Sequence, residues 1–135
     1  MIEFETEYKS PLILKRLLIS DCRFRRSEDS LKDVKVKLLF KHEIEILPEN
    51  DDTGTNERKV SLEVSMSDKA KKLELSVKCV AYFETLNEDN SFIQKNGLAI
   101  MFPYVRSYIS NITVQPGMSP IVLPPLNIAA MFQDN

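Results

Sequence analysis

The chain between residues 34 and 84 alternates apolar and polar side chains with a period of two. From Val34 to Leu47 the residues at even positions are apolar apart from His42, and most of the residues between them are lysine or glutamate. Two further alternating segments, Val60 to Met66 and Leu73 to Phe83, show the same arrangement. Alternation of this kind places one face on a core and the other in water, so it predicts antiparallel strands.

A less regular strand precedes these three. Its predicted inward face contains Leu14, Leu18, Cys22 and Phe24. Because Cys22 and Cys79 both fall on inward faces, we expect two buried, reduced thiols. Leu17 and Ile19 fall on the opposite face, and their apolar side chains predict that part of this outer face is covered.

After Phe83 the apolar period lengthens to about four residues, which is typical of an amphipathic helix. Two adjacent rows carry the stripe: Ile100, Tyr104, Tyr108 and Ile112 in one, and Met101, Val105 and Ile109 in the other. Proline fits best in a first helical turn, so Pro103 predicts a helix that begins near residue 101 or 102. Pro116 and Gly117 predict its end.

The residues that follow predict an extended segment and a last short helix. Three prolines between Met118 and Leu126 exclude a central strand, and Asn127 is a suitable N-cap for a helix from Ile128 to Phe132. The predicted fold is therefore α+β: a four-stranded antiparallel sheet, a long helix, a proline-rich crossover and a short C-terminal helix. The length predicts one domain, residues 1–135.

Charge is distributed unevenly along this plan. The chain has 18 basic and 20 acidic residues, yet residues 96–135 contain only Arg106 and Asp134. A pI near 5.5 argues against nucleic-acid binding through a basic surface. No apolar run approaches the ~20 residues of a membrane span, so membrane insertion is not expected. The acidic, polar first residues are unlike a secretory signal, which predicts a cytoplasmic protein.

The residue types that carry out catalysis are scarce. His42 is the only histidine and falls on an apolar face, so we expect a hydrogen-bonded core residue. No nucleophile motif or phosphate-binding loop is present, and two cysteines do not make a zinc site. The sequence therefore predicts no catalytic residue, no metal, no cofactor and no enzyme activity. The remaining charged clusters are interpreted as a solvated turn (Glu49, Asp51, Asp52) and an exposed strand end (Arg23, Arg25, Arg26).

The C-terminal third is where function is expected. No charged residue occurs from Ser107 to Met131, and an exposed apolar segment of this size indicates an interface or a binding groove. Packing as ordinary core remains an alternative. So does a small-ligand-binding α+β protein in which the sheet and helix enclose a cavity.

The segment from Met101 to Phe132 resembles the C-terminal signature of SecB, the family of ATP-independent bacterial export chaperones. The resemblance rests on Phe102-Pro103-Tyr104-Val105-Arg106, the proline-rich crossover and Asn127 followed by Ala130, and it extends over roughly Ser10 to Phe132. It implies a holdase that binds unfolded preproteins. The implied client-peptide groove consists of Met118, Ile121, Leu123, Leu126, Ile128, Met131 and Phe132.

The resemblance also implies an assembly and partners. Family members are homotetramers, dimers of dimers, whose long helices meet between the dimers. The implied interface residues are Met101, Tyr104, Val105, Tyr108, Ile109 and Ile112. Asp21 matches an acidic residue that docks the motor SecA, while Arg25 and Ser76 occupy other docking positions. We do not expect the family's C-terminal tail after Phe132, and this expectation leaves two roles open: protein export, or a dedicated chaperone for the antitoxin of a toxin–antitoxin pair.

Overall fold

The predicted α+β architecture is confirmed by the computed structural model, which describes residues 2–3, 5–7, 11–48, 56–86 and 89–131. Its elements, in chain order, are β1 (Leu12–Arg26), β2 (Lys37–Ile46), β3 (Asn56–Ser67), β4 (Leu73–Thr85), α1 (Asn90–Ile112) and α2 (Ile128–Met131). The acidic turn predicted at residues 49–52 lies outside the described residues.

The four strands form one antiparallel sheet in the order β1-β4-β3-β2. The inward side chains of the two central strands, β3 and β4, are buried against α1 and their neighbours, as predicted. Val80 on the outer face of β4 is also buried, contrary to its predicted exposure, and it lies opposite the apolar Leu18. The inward residues of β2 are half-buried, apart from the exposed Ile46 at its end, because β2 is an edge strand. It begins at Lys37 rather than Val34, whose amide instead bonds to the Leu31 carbonyl in a turn.

The predicted face of β1 was partly wrong, because two register shifts interrupt this strand. Its pairing with β4 shifts between Leu14 and Arg16 and again between Ile19 and Asp21. Each extra residue moves the following side chains to the other face. Leu17 and Ile19 consequently lie opposite the buried Ala81 and Cys79 on the helix side, whereas Leu18 lies opposite Val80 on the outer side.

Cys22 corrects a second expectation for β1. Two shifts together restore the original alternation, so Cys22 lies opposite Val77 on the helix side, as predicted. It is nevertheless exposed, while Cys79 in the central strand β4 is buried. The position of β1 at the edge of the sheet explains the difference, because an edge residue has neighbours on fewer sides.

Helix α1 begins at Asn90, eleven residues before the predicted start, and Pro103 lies in its interior. Asp89 caps the helix: its carboxylate accepts bonds from the Ser91 and Phe92 amides at 3.0 and 3.3 Å. The added first half packs on the sheet through Ile93, Gly97 and Leu98, which are buried. This burial outweighs the cost of an internal proline, which is about 3 kcal/mol.

Gly97 is the point of closest approach between α1 and the sheet. A Cβ atom at this position would lie 3.0 Å from Phe83 Cε2 and 3.4 Å from Val60 Cγ2. A larger side chain would therefore push α1 away from β3 and β4. Such a displacement would also move the crossover that the end of α1 supports.

The C-terminal part follows the prediction closely. Pro116 and Gly117 form the centre of a turn in which the Met118 amide donates to the Gln115 carbonyl at 3.2 Å, and Gly117 has a φ of 81°. Residues 119–127 form neither helix nor strand. The predicted N-cap of α2 is confirmed, because the Asn127 side chain accepts a bond from the Ala130 amide at 3.2 Å.

Candidate functional site

The crossover, defined here as residues 118–127, is held to the end of α1 by its own backbone. The Ile121 amide donates to Thr113 Oγ1, and the Ile121 carbonyl accepts from Ser110 Oγ, each at 2.8 Å. The Thr113 hydroxyl in turn donates to the Ile109 carbonyl at 2.8 Å. Both backbone groups of Ile121 are therefore satisfied without a strand partner, so the crossover has a fixed position on the helix.

This attachment separates the apolar residues of the crossover into buried and exposed ones. Leu123 is only 3% exposed and belongs to the core, whereas its neighbour Val122 is 67% exposed. The other described residues of the predicted groove are half-buried: Met118, Ile121, Leu126, Ile128 and Met131. Phe132, the last predicted groove residue, lies outside the described residues. Leu123 thus supports the surface from below, and Val122 extends it into solvent.

A groove of about 960 Å³ lies between the crossover and the connection from β1 to β2. Met118 and Ile121 line one wall, together with the turn that precedes them. Leu31, Val34 and Val36 contribute apolar side chains to the opposite wall. Two of the predicted groove residues therefore face a concave surface, and the β1–β2 connection supplies a wall that sequence reasoning did not include.

Arg26 holds the two walls of this groove together. Its guanidinium donates to the carbonyl of Gly117 at 3.1 Å and to that of Asp29 at 2.8 Å, and its Nε donates to the Ser27 carbonyl at 2.8 Å. The prediction of an exposed strand end was therefore wrong for Arg26, while Arg23 and Arg25 are exposed as expected. A planar group with five donors suits this role because it can bond several carbonyls at once.

A second, smaller depression lies on the other side of the crossover. Its volume is about 440 Å³, and Val122 forms part of its edge beside Phe102, Pro103 and Arg106 of α1. The exposed side chain of Val122 therefore lies at the rim of a depression that the crossover forms with α1. Arg106, Ser107, Ser110 and Asn111 make this depression more polar than the crossover itself.

The six helix residues assigned to an interface divide into two groups. Met101, Val105 and Ile109 are fully buried within their own subunit, so they have no surface to offer to another chain. Tyr104 is exposed, and Tyr108 and Ile112 are half-buried. Any helix interface must therefore use the row of Tyr104, Tyr108 and Ile112, in which Tyr104 and Tyr108 come one residue before the buried Val105 and Ile109.

The titratable residues of the region have structural partners. His42 Nδ1 lies 2.7 Å from the Gln94 side-chain nitrogen, which confirms the expected hydrogen bond. Burial raises the pKa of the Cys79 thiol to about 11. A side-chain hydrogen bond with Cys22 raises the pKa of the Tyr108 hydroxyl. Asp21, the predicted docking residue, lies 3.5 Å from Arg23 Nε on the outer face of the sheet.

Sequence reasoning missed Arg26 and the Ser110–Thr113 pair. Hydroxyl residues at the last turn of a helix, followed by a proline-rich segment without strand partners, indicate where the backbone of that segment finds hydrogen bonds. That signal was present in the sequence.

Among the described residues, no group of three or more His, Cys, Asp or Glu could hold a metal ion. No helix in the described ranges is long and apolar enough to cross a membrane.

A family model and two known proteins match parts of this chain. The family model described as preprotein translocase subunit SecB matches residues 41–135. An uncharacterized protein of Methanocaldococcus jannaschii is 42% identical in an alignment 62 residues long that covers 43% of this chain and 40% of that protein. The protein-export protein SecB of Magnetococcus marinus is 52% identical over 33 residues, 24% of this chain and 21% of that protein. The matched segments thus span less than half the length of these relatives.

Two solved structures share the fold. A SecB-like chaperone of Mycobacterium tuberculosis, in complex with a ChAD peptide from the HigA1 antitoxin, superposes with a TM-score of 0.65 at 12% identity, covering 86% of this chain and 88% of that chain. A protein of unknown function from Streptococcus agalactiae superposes with a TM-score of 0.62 at 10% identity, covering 84% and 96%.

Proposed function

Because the chain belongs to the SecB family, we propose that it is an ATP-independent holdase that captures non-native polypeptides on its crossover. Family membership supports a chaperone role, and that role needs neither catalysis nor a cofactor. Unfolded clients share little except apolar side chains and backbone groups. A surface that binds many of them must therefore rely on hydrophobic contact, and its geometry must tolerate different sequences.

The observation that carries this proposal is the exposure of Val122 on a segment whose backbone is already held in place. Ordinary core packing would bury this side chain, as it buries Leu123. No charged residue occurs from Ser107 to Met131, so an apolar client meets no fixed charge on the crossover itself. The 960 Å³ groove beside Met118 and Ile121 has room for several client side chains.

The structure of the groove also bears on the alternatives. A small-ligand protein would enclose its ligand, whereas this groove is an open channel between two surface segments, so that alternative is not favoured. The M. tuberculosis chaperone was solved with an antitoxin peptide, which is consistent with a polypeptide as the client here. A role dedicated to one antitoxin is not favoured over general capture.

Aggregation assays with a chemically unfolded client test the proposal. Val122→Asp places a charge on the exposed crossover, and Leu86→Asp is the matched control because Leu86 is 75% exposed at the far end of β4. We expect Val122→Asp to reduce the suppression of aggregation several-fold and Leu86→Asp to leave it unchanged, with both variants as stable as the wild type. Equal activity of the two variants would exclude the crossover as the client site.

We propose that subunits associate into a homotetramer through the row of Tyr104, Tyr108 and Ile112 on α1. Tyr104→Asp tests this because Tyr104 is exposed and makes no contribution to the buried core. Native mass spectrometry should detect tetramers for the wild type and smaller species for Tyr104→Asp. A monomeric wild-type protein would refute the assembly.

We also propose that the held clients are on an export route, with SecA as the receiving partner. Titration of purified SecA into the client-loaded protein tests this step. Measurable binding supports export. An absence of binding would remove export from the proposal, while the holdase activity measured above would stand by itself.

A further inference from the structure

The outer face of the sheet, opposite α1, contains a cleft that the proposed holdase activity does not use. Its volume is about 500 Å³, and it lies where β1, β4 and β3 approach the β3–β4 turn. Ser65 of β3 lies directly opposite Ser76 of β4, and Arg23 of β1 lies opposite the same serine in the β1–β4 pairing. Two short hydroxyl side chains between longer ones leave a depression, which explains the cleft.

Positive charge predominates around this cleft. Arg23, Arg25 and Lys71 line it, and Glu74 is the one acidic residue among its lining side chains in the described chain. Lys71 lies 4.0 Å from Glu74, at the limit of an ion pair. Arg23 is paired with Asp21 at 3.5 Å, but both side chains are more than half exposed, so the pair is weak.

Arg25 is the cation most available to a partner. It lies opposite Glu74 in the strand pairing, yet no ion pair among the described residues includes it. Its side chain is exposed on the same face as Arg23. A free guanidinium beside two serine hydroxyls can bond a carboxylate through two parallel N–H groups.

The basic character extends beyond the cleft along this end of the molecule. A neighbouring depression is lined by Lys32, Lys35, Lys69 and Lys72, together with two aspartates. The net charge of the whole chain is −2, so the positive charge at this end gives a local positive potential on a protein that is acidic overall. Such a field attracts a short acidic segment, while the remaining negative charge disfavours a long polyanion.

We propose that this cleft docks an extended acidic segment of a partner protein, with carboxylates two residues apart. Arg23 and Arg25 lie on one face of a strand, so their Cα atoms are separated by about 6.7 Å. An extended peptide repeats its side chains on one face at the same interval. A sequence of the type Glu-x-Glu that runs beside β1 therefore presents one carboxylate to each arginine. The serine hydroxyls can donate to its backbone carbonyls.

Fluorescence anisotropy with a labelled extended peptide that contains three Glu-x repeats tests the proposal, with a Gln-x peptide of the same length as the probe control. Arg25→Glu is the test variant. Lys41→Glu is the matched control, since Lys41 lies on the same outer face, on β2, away from the cleft, and changes the net charge by the same amount. We expect Arg25→Glu to weaken binding by about tenfold or more, Lys41→Glu to change it less than about twofold, and added salt to weaken it.

Three results would overturn the proposal. Equal effects of Arg25→Glu and Lys41→Glu would show nonspecific attraction to the whole protein. Binding of the Gln-x peptide as tight as that of the Glu-x peptide would exclude carboxylate recognition. Tighter binding of inorganic phosphate or of a single-stranded oligonucleotide would assign the cleft to a different occupant. Client holding should be normal in Arg25→Glu, because the crossover lies on the other face of the sheet, so the two proposals fail independently.

Discussion

Replacing Leu123 with alanine isolates the contribution of one buried side chain to the position of the crossover. Leu123 is 3% exposed and belongs to the main core cluster, although its segment has no regular secondary structure. The substitution removes three carbon atoms, which at ~0.8 kcal/mol per buried methylene amounts to about 2.4 kcal/mol of transfer free energy. The residual cavity adds to this loss, and an irregular segment can partly collapse, so we expect a total near 3 kcal/mol.

Urea unfolding followed by far-UV circular dichroism measures this change in the free energy of unfolding. The protein concentration must be held constant, since self-association would couple stability to it. A loss of ~3 kcal/mol in a chain of 135 residues lowers the melting temperature by about 10 °C. Val122→Ala is the control, and it should change the free energy of unfolding by less than about 0.5 kcal/mol. A loss below about 1 kcal/mol for Leu123→Ala, or equal losses for both variants, would refute the assignment of Leu123 as the core contact of the crossover.

Three further predictions concern single side chains. Arg26→Ala removes bonds to three carbonyls and should accelerate amide exchange in the turn after α1, measured by mass spectrometry; unchanged exchange would mean that Arg26 does not hold the groove walls together. In native protein, Ellman's reagent should modify the exposed Cys22 rapidly and Cys79, whose pKa burial raises to about 11, only after unfolding; two rapidly reacting thiols would contradict this. The hydrogen bond from the Leu73 amide lowers the pKa of the Asp68 carboxyl in the folded protein. Its contribution to stability is fully present above the usual aspartate pKa and is lost as the pH falls through the lower folded value. The difference in free energy of unfolding between wild type and Asp68→Asn should therefore shrink from neutral to strongly acidic pH, and a difference that is constant with pH would refute this.

The central strands were the most predictable part of the fold. In β3 and β4 both strands have neighbours on each side, so pattern and burial agree except at the outward Val80, which is 5% exposed and lies opposite Leu18. β1 was predicted less well because its two register shifts arise from pairing with β4, and nothing in the residues near Lys15 or Ser20 indicates an extra position. An error of one residue in register exchanges the two faces of a strand.

The predicted start of α1 was wrong because Pro103, a residue type typical of a first helical turn, lies in the interior of this helix. Asp89 before Asn90 and Ser91 is a recognisable N-cap signal, and Ile93 begins an apolar row that continues into the predicted stripe. Proline costs a helix one hydrogen bond and some strain, but the tertiary contacts of about three additional turns exceed that cost. A local rule was therefore overridden by packing that only the complete sheet provides.

The candidate site was predictable as a segment but not as individual side chains. Its lack of charge and its prolines indicated an apolar, extended surface. Val122 and Leu123 are both aliphatic, and the choice of which is buried depends on the bonds between Ile121 and the end of α1. The wall formed by the β1–β2 connection depends on Arg26, whose partner Gly117 is 91 positions away. Contacts at that separation are set by the tertiary fold rather than by local pattern.

Site-specific photo-crosslinking to an unfolded client tests the central claim most directly. A benzoyl-phenylalanine at position 122 reports on the crossover, and the same residue at positions 86 and 39 reports on two other exposed apolar sites, which lie at the far end of β4 and on the outer face of the sheet. We expect strong crosslinks from position 122 and weak ones from the other two. Crosslinks from position 39 or 86 that equal or exceed those from position 122 would contradict it.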